Sequence, residues 1–127
     1  MKAKAIGYWV CTIVIALLFL SGGILQTMQS PTAIEGITHL GYPVHFAVLL
    51  GVWKIFGAIV ILLPGYALVK EWAYSGIFID LTGASVAHAA AGDGAGNIIA
   101  PLVFTGVVVA SWALRPASRT LTRGSAW

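Results

Sequence analysis

Residues 50–58 read Leu50-Gly51-Val52-Trp53-Lys54-Ile55-Phe56-Gly57-Ala58, and residues 78–84 read Phe78-Ile79-Asp80-Leu81-Thr82-Gly83-Ala84. Each stretch carries one full charge in otherwise mostly apolar surroundings, and the two charges are opposite. The first lies inside an apolar run from Pro43 to Leu63, the second inside a run from Trp72 to Ala91. Further runs from Ala5 to Met28 and from Asn97 to Leu114 flank them. Each run approaches the roughly 20 residues that a helix needs to cross a hydrocarbon core of about 30 Å. They lack the period-two alternation of a membrane barrel. The predicted fold class is therefore an all-α membrane protein, a bundle of four transmembrane helices.

Composition leaves little else. Of 127 residues, 59% are hydrophobic and only 9% charged, where a soluble domain carries about a quarter charged residues. So few charges cannot coat a globular surface. That excludes a soluble enzyme, a nucleic-acid-binding module and a disordered chain, and makes the lipid bilayer the first partner. The length allows one domain, read as residues 1–115 with a basic cytoplasmic tail over 116–127. The single cysteine, Cys11, excludes dithiol exchange within the chain and reads as a small packing residue.

Turn chemistry separates the runs at Ser30-Pro31, Pro64-Gly65 and Gly92-Asp93-Gly94-Ala95-Gly96-Asn97. Pro43 and Pro101 are read near helix starts, and Asn97 or Asp93 as the cap of the fourth span. Between the first two spans Ile34, Ile37 and Leu40 recur at three-residue steps. That pattern predicts a short interfacial helix with Ser30 as its N-cap; an ordinary connecting loop competes with it. The apolar run continues past Ser21-Gly22-Gly23 through Ile24 and Leu25, so the first run is read as a retained span rather than a cleaved leader.

Basic residues set the orientation. Lys2 and Lys4 precede the first span, Lys70 separates the second from the third, and Arg115, Arg119 and Arg123 follow the fourth. The other two connections contain neither Lys nor Arg. The positive-inside rule then puts both termini and Lys70 in the cytoplasm, with Glu35 and Asp93 outside. The arginines at four-residue spacing predict a tail lying on anionic lipid.

Lys54 and Asp80 each lie about 14 Å from the inner boundary at roughly 1.5 Å per residue, near the midplane. A charge there costs at least about 2.5–3.5 kcal/mol. Opposite charges at matched depth are read as partners, either an ion pair locking two helices or the lining of a polar cavity. Gly51, Gly57 and Ala58 share the face of Lys54, and Gly83, Ala84 and Ala87 that of Asp80, which predicts close contact between the second and third spans. Gln26, Lys54, Asp80 and His88 are the candidate ligand or ion-pair residues, bounding a pocket that opens outward, with His45 and Asp93 as further candidates. No HxxxH or ExxH spacing predicts a metal site. The inner halves of the second and third spans are read as nearly free of hydrogen-bonding side chains, Ser75 excepted. Tyr8, Trp9, Tyr42, Tyr66, Trp72 and Trp112 are read as an interfacial belt, and Trp53 as facing lipid.

Several of these stretches together resemble one family. They are Gly41-Tyr42-Pro43, residues 50–58, Leu62-Leu63-Pro64, Lys70-Glu71-Trp72-Ala73-Tyr74-Ser75-Gly76, residues 78–84, His88 and Gly92-Asp93. The chain is similar to the DoxX-like family of small bacterial membrane proteins. The resemblance implies a four-helix bundle in the bacterial cytoplasmic (inner) membrane. It implies that Lys54, Asp80, His88 and Asp93 stand where the family's recurring polar residues stand. Many relatives carry a basic residue after the small-residue motif of the first helix; here Gln26 occupies that region.

Family names tie relatives to thiosulfate–quinone oxidoreduction and to oxidative-stress membrane complexes. Quinone is thus the cofactor that the resemblance brings in; none is evident from the residues. The function expected is a non-catalytic subunit that binds a lipophilic ligand, a membrane protein partner or a second copy, within a quinone-linked assembly. Two rival readings are a proton or small-solute carrier using Lys54, Asp80 and His88, and a membrane oxidoreductase or other enzyme with an outward-facing His/Asp pocket. No nucleophile or metal motif supports the enzyme reading.

Overall fold

The structure, a computed structural model, describes residues 2–121. Its elements are α1 (Lys2–Thr27), α2 (Pro31–His39), α3 (Val44–Leu62), α4 (Ala67–Ala90), α5 (Ala95–Ala113) and a 3-10 turn at Ala117–Arg119. Among the described residues no strand is present. Three helices, α1, α3 and α5, are long and apolar enough to cross a membrane. With 24 residues α4 has the length, but Asp80, His88 and its hydroxyl and small residues leave it less apolar. Helix α2 is the short helix predicted between the first two spans.

Three helices end alike. The residue after the C-cap takes a left-handed φ, +56° at Gln29 after α1, +91° at Gly41 after α2 and +77° at Gly92 after α4. Such a cap suits glycine, which has no Cβ to clash there. After α4 the Gly92 N–H donates to the Ala89 carbonyl at 3.1 Å and the Asp93 N–H to that of His88 at 3.0 Å. This wrap folds Asp93 back over the last turn of α4, beside His88.

Helix starts depart from expectation. Ser30 precedes Pro31 at the N-cap of α2 without bonding it through its side chain. Gly94, not Asn97 or Asp93, stands at the N-cap of α5, and Pro101 lies inside α5, where its ring deprives the Asn97 carbonyl of a donor.

Helix α1 packs most extensively on α3 and also on α5, while α4 packs on α5. Ile15, Ala16 and Phe19 of α1 meet Ala58 and Ile61 of α3, Tyr74, Ile77 and Leu81 of α4, and Val108 of α5 in one core. The tightest approach joins α1 to α3. A Cβ added at Gly23 would lie 2.7 Å from the Gly51 carbonyl oxygen, and one at Gly51 would lie 2.6 Å from Thr27 Oγ1. The predicted small-residue contact between the second and third spans holds only in part: a Cβ added at Gly57 would lie 3.7 Å from Ile77 of α4, and Ala58 shares the core with α4, but elsewhere the helices diverge. Gly51 closes on α1, and a Cβ added at Gly83 would meet nothing within 4 Å. Helices α3 and α4 leave a groove between them.

The basic residues at one end of the bundle turn inward. Lys70 is fully buried, and its Nζ donates to the carbonyls of Val60, at 2.7 Å, and Leu63. Arg119 Nη1 donates to the carbonyls of Ile61, Leu62 and Leu63 at 3.0–3.3 Å and to Tyr8 Oη at 3.4 Å. These are carbonyls that the last turn of α3 leaves without helical partners, and a cation there also complements the helix dipole. Arg115 pairs with Glu71, which also accepts from Trp112 Nε1 at 3.1 Å.

Lys70 is thus no loop charge, and Arg115 and Arg119 do not spread over lipid. Bare helix carbonyls draw these side chains in. Arg123, the third basic residue of the expected tail, lies outside the described residues. Tyr8, read as part of the belt, is fully buried beneath Arg119.

Candidate functional site

The groove between α3 and α4 encloses a cavity of about 780 Å³, within the ~300–1,000 Å³ typical of small-molecule sites. Its back wall includes Phe19 and Gln26 of α1, and Thr32, Gly36, Ile37 and Leu40 bring α2 over one end. Gln26, Lys54, Asp80 and His88 all line it, so four polar residues from three helices share one cavity, which also extends past Val60 and Trp72 instead of being confined to the outer half. His45 is not among them: it is exposed and apart from the lining. Toward the basic end the walls are apolar, with Phe56, Val60, Trp72 and Ile77 among them. Trp53 is 67% and Trp72 66% exposed, so the groove's lips face whatever surrounds the bundle. Trp53 both faces outward, as read, and walls the cavity.

The middle of the groove holds polar groups with unused bonding capacity. Gln26 is 8% exposed, and its Oε1 has no hydrogen-bond partner, a state that costs about 1–3 kcal/mol. Lys54 Nζ lies 5.5 Å from the centroid of the Phe19 ring, a cation–π distance. Among the described residues the ion pairs within 4.0 Å are His39–Asp93, His88–Asp93 and Arg115–Glu71. Lys54 and Asp80 share the cavity without closing to that distance. Helices α3 and α4 separate here, and the space between the charges belongs to the groove.

At the end covered by α2, two histidines converge on one carboxylate. His88 Nδ1 donates to Asp93 Oδ2 at 2.6 Å, and His39 Nε2 to Asp93 Oδ1 at 2.7 Å. An ionised carboxylate only accepts, so each ring carries its proton on the bonded nitrogen. The bonds from His88 and then His39 hold the Asp93 carboxyl below the usual carboxylate range. A second hollow of about 640 Å³ lies between Leu40 and Tyr42 on one side and Ile79, Gly83 and Val86 of α4 on the other. Helix α2 thus faces α4 largely across open space, with His39–Asp93 as a polar tie.

Sequence reasoning missed two features. The partner of His39 is invisible in sequence, because pairing over 54 positions leaves no local pattern. The inner halves of the second and third spans, read as free of hydrogen-bonding side chains but for Ser75, also contribute Tyr74 to a buried set: Ser111 Oγ lies 2.6 Å from Thr12 Oγ1 and 2.8 Å from Tyr74 Oη. A hydroxyl in each of three apolar helices was the available signal, since buried hydroxyls need partners.

No curated protein and no solved structure matches the chain. A family model described as the DoxX-like family matches residues 10–111, a span that includes all of α2, α3 and α4 with every residue of the groove. The chain is a membrane protein belonging to the DoxX-like family.

Proposed function

We propose that this protein spans the bacterial inner membrane four times, with both ends in the cytoplasm, and holds a lipophilic ligand in the groove between α3 and α4. The observation that carries this reading is the cavity itself: ligand-sized, mostly apolar, and met at mid-depth by Gln26, Lys54 and Asp80 with His88 beyond. A membrane-buried ligand needs such walls for its apolar part and a few converging polar groups for its head. Family membership supports the membrane setting. A quinone, as part of a redox assembly, is one such ligand. The chain's part in that assembly, on this reading, is binding.

The test is to purify the full chain in mild detergent and identify co-purifying lipophiles by mass spectrometry. Gly76 and Gly83 line the groove, and a Cβ at either meets nothing within 4 Å. Gly76→Leu and Gly83→Leu should therefore fill the cavity, leave the melting temperature near that of the parent chain, and strip the ligand. A ligand retained at full stoichiometry by both folded variants would place binding elsewhere. A partner protein captured on the groove, with no small molecule present, would replace the ligand reading with a subunit interface.

A further inference from the structure

The polar groups of the groove specify more than an apolar guest. Lys54 and Asp80 line the same cavity without pairing within 4.0 Å, and their formal charges cancel. An anionic head would gain from Lys54 and lose against Asp80; a cationic head would meet the reverse. Only a neutral head meets no like charge at this depth. Gln26 adds direction. Its side chain is more than nine-tenths buried and lines the cavity, and its Oε1 lacks any donor. The oxygen itself is buried where it stands, and a turn of the terminal amide about its broad last torsion brings it to the groove. Lys54 Nζ makes no hydrogen bond to a protein acceptor among the described residues and lies near Gly22, 4.0 Å from where its Cβ would be. Gln26 is one helical turn along from Gly22 on α1, so an acceptor that lacks a donor and a donor that lacks an acceptor line the same cavity.

From this arrangement, and resting on the groove reading above, we infer that the ligand is a neutral, single-chain amphiphile with a hydroxyl head. The hydroxyl donates to Gln26 Oε1 and accepts from Lys54 Nζ, and the chain runs along Phe56, Val60, Trp72 and Ile77 toward the basic end. A hydroxyl is the smallest neutral group that does both. An ester, an ether or an oxidised quinone accepts only and leaves Gln26 unpaired, so of a quinone couple only the hydroxyl-bearing quinol fits this head. The exposed lips at Trp53 and Trp72 let such a molecule enter sideways from the bilayer.

The test compares three probes of equal chain length, oleyl alcohol, methyl oleate and sodium oleate. Each is added to the delipidated full chain, and its dissociation constant is read from bound and free populations by native mass spectrometry. The alcohol should bind about tenfold more tightly than the ester, the ratio that one buried hydrogen bond supplies, and more tightly than oleate. In Gln26→Leu the alcohol-to-ester ratio should fall to about one while ester binding persists, which also shows that the variant is folded. Lys54→Met should weaken alcohol and ester together. An ester bound as tightly as the alcohol by the parent chain, oleate as the best probe, or an unchanged ratio in an ester-binding Gln26→Leu would each overturn the hydroxyl assignment and leave the groove reading standing. Failure of all three probes to bind would overturn the groove reading itself. The ordering on the parent chain needs no variant, so a misfolded Gln26→Leu leaves the inference open to refutation.

Discussion

At the scale of single residues, the same residue type does opposite work depending on what faces it. Gly23 and Gly51 let two backbones touch, whereas Gly83 enlarges a cavity. Adding one methyl separates these roles. In Gly23→Ala the new Cβ must displace the Gly51 carbonyl oxygen at 2.7 Å, and forcing backbone apart costs about 1–3 kcal/mol. Gly83→Ala meets open space and gains helix propensity of roughly 0.8–1.0 kcal/mol. Thermal melts in one detergent should show the first variant well below the parent chain and the second at or above it; the reverse order would mean that the helices are not packed as described. The basic end offers a second comparison. Arg119→Met would strip several α3 carbonyls and Tyr8 of a donor together. Charged hydrogen bonds are worth about 1.5–3 kcal/mol, so a loss of about 3 kcal/mol is expected, with ligand retention by the surviving folded fraction unchanged. A neutral effect would return Arg119 to the lipid surface where its sequence position suggested it. Sequence showed Gln26, Lys54, Asp80 and His88 because a polar side chain in an apolar run stands out. It concealed Lys70 and Arg119, because a cation beside a loop looks solvated until the carbonyls it serves are located.

At the scale of elements, the span boundaries were legible and the helix pairing was not. Hydropathy located α1, α3 and α5 within a few residues, and the three-residue step of Ile34, Ile37 and Leu40 revealed α2. Contiguity in sequence suggested that α3 and α4 would be the intimate pair. Two helices joined by a short turn meet at that turn, but nothing obliges them to stay together, and packing on α1 and α5 draws them apart. Helix α2 depends on this divergence, since it lies over the end of the groove. Its tie to the far side, His39–Asp93, depends on a carboxyl held below its ordinary range by His88 and His39. The sign of the linkage follows. A depressed carboxyl contributes its stabilisation fully above its unfolded value of about 4 and loses it as pH falls through the lower folded value. The protection of the α2 amides relative to their intrinsic exchange rates should therefore hold from neutral pH down to about pH 4 and fall only below it. Asp93→Asn should lower this protection throughout, while that in the middle of α3 stays high. Equal α2 protection in Asp93→Asn and the parent chain would mean that contacts with α1 and α3 alone hold this helix.

At the scale of the whole molecule, the proposed number of crossings rests on connectivity as much as on hydropathy. Helix α4 is less apolar than its neighbours, and α1, α3 and α5 alone meet the composition for a span. Yet the ends of α3 and α5 that α4 must join lie at opposite ends of the bundle, and the short connections at 63–66 and 91–94 contain no helix of their own. At about 1.5 Å per residue, the 24 residues of α4 reach roughly 36 Å, enough to cross beside them. If α3 and α5 both span, α4 must cross between them, its polar face directed into the groove and away from lipid. Helix α2, nine residues long, is too short to cross, so α1 and α3 meet on the same side. The four crossings proposed would put both ends of the described chain on one side, with Lys2, Lys4, Lys70, Arg115 and Arg119 all at that end. Positive charge acts on orientation during insertion, before the bundle buries Lys70 and Arg119, so their later burial does not weaken the proposed orientation. In a Cys11→Ser background, Glu35→Cys and Ser118→Cys place single thiols at exposed positions on opposite ends. A membrane-impermeant maleimide applied to intact spheroplasts should label Glu35→Cys at once and Ser118→Cys only after permeabilisation. Labelling of both from outside would leave an odd number of crossings and show that α4 does not span; labelling of Ser118→Cys alone would invert the molecule and turn its histidine cluster to the cytoplasm.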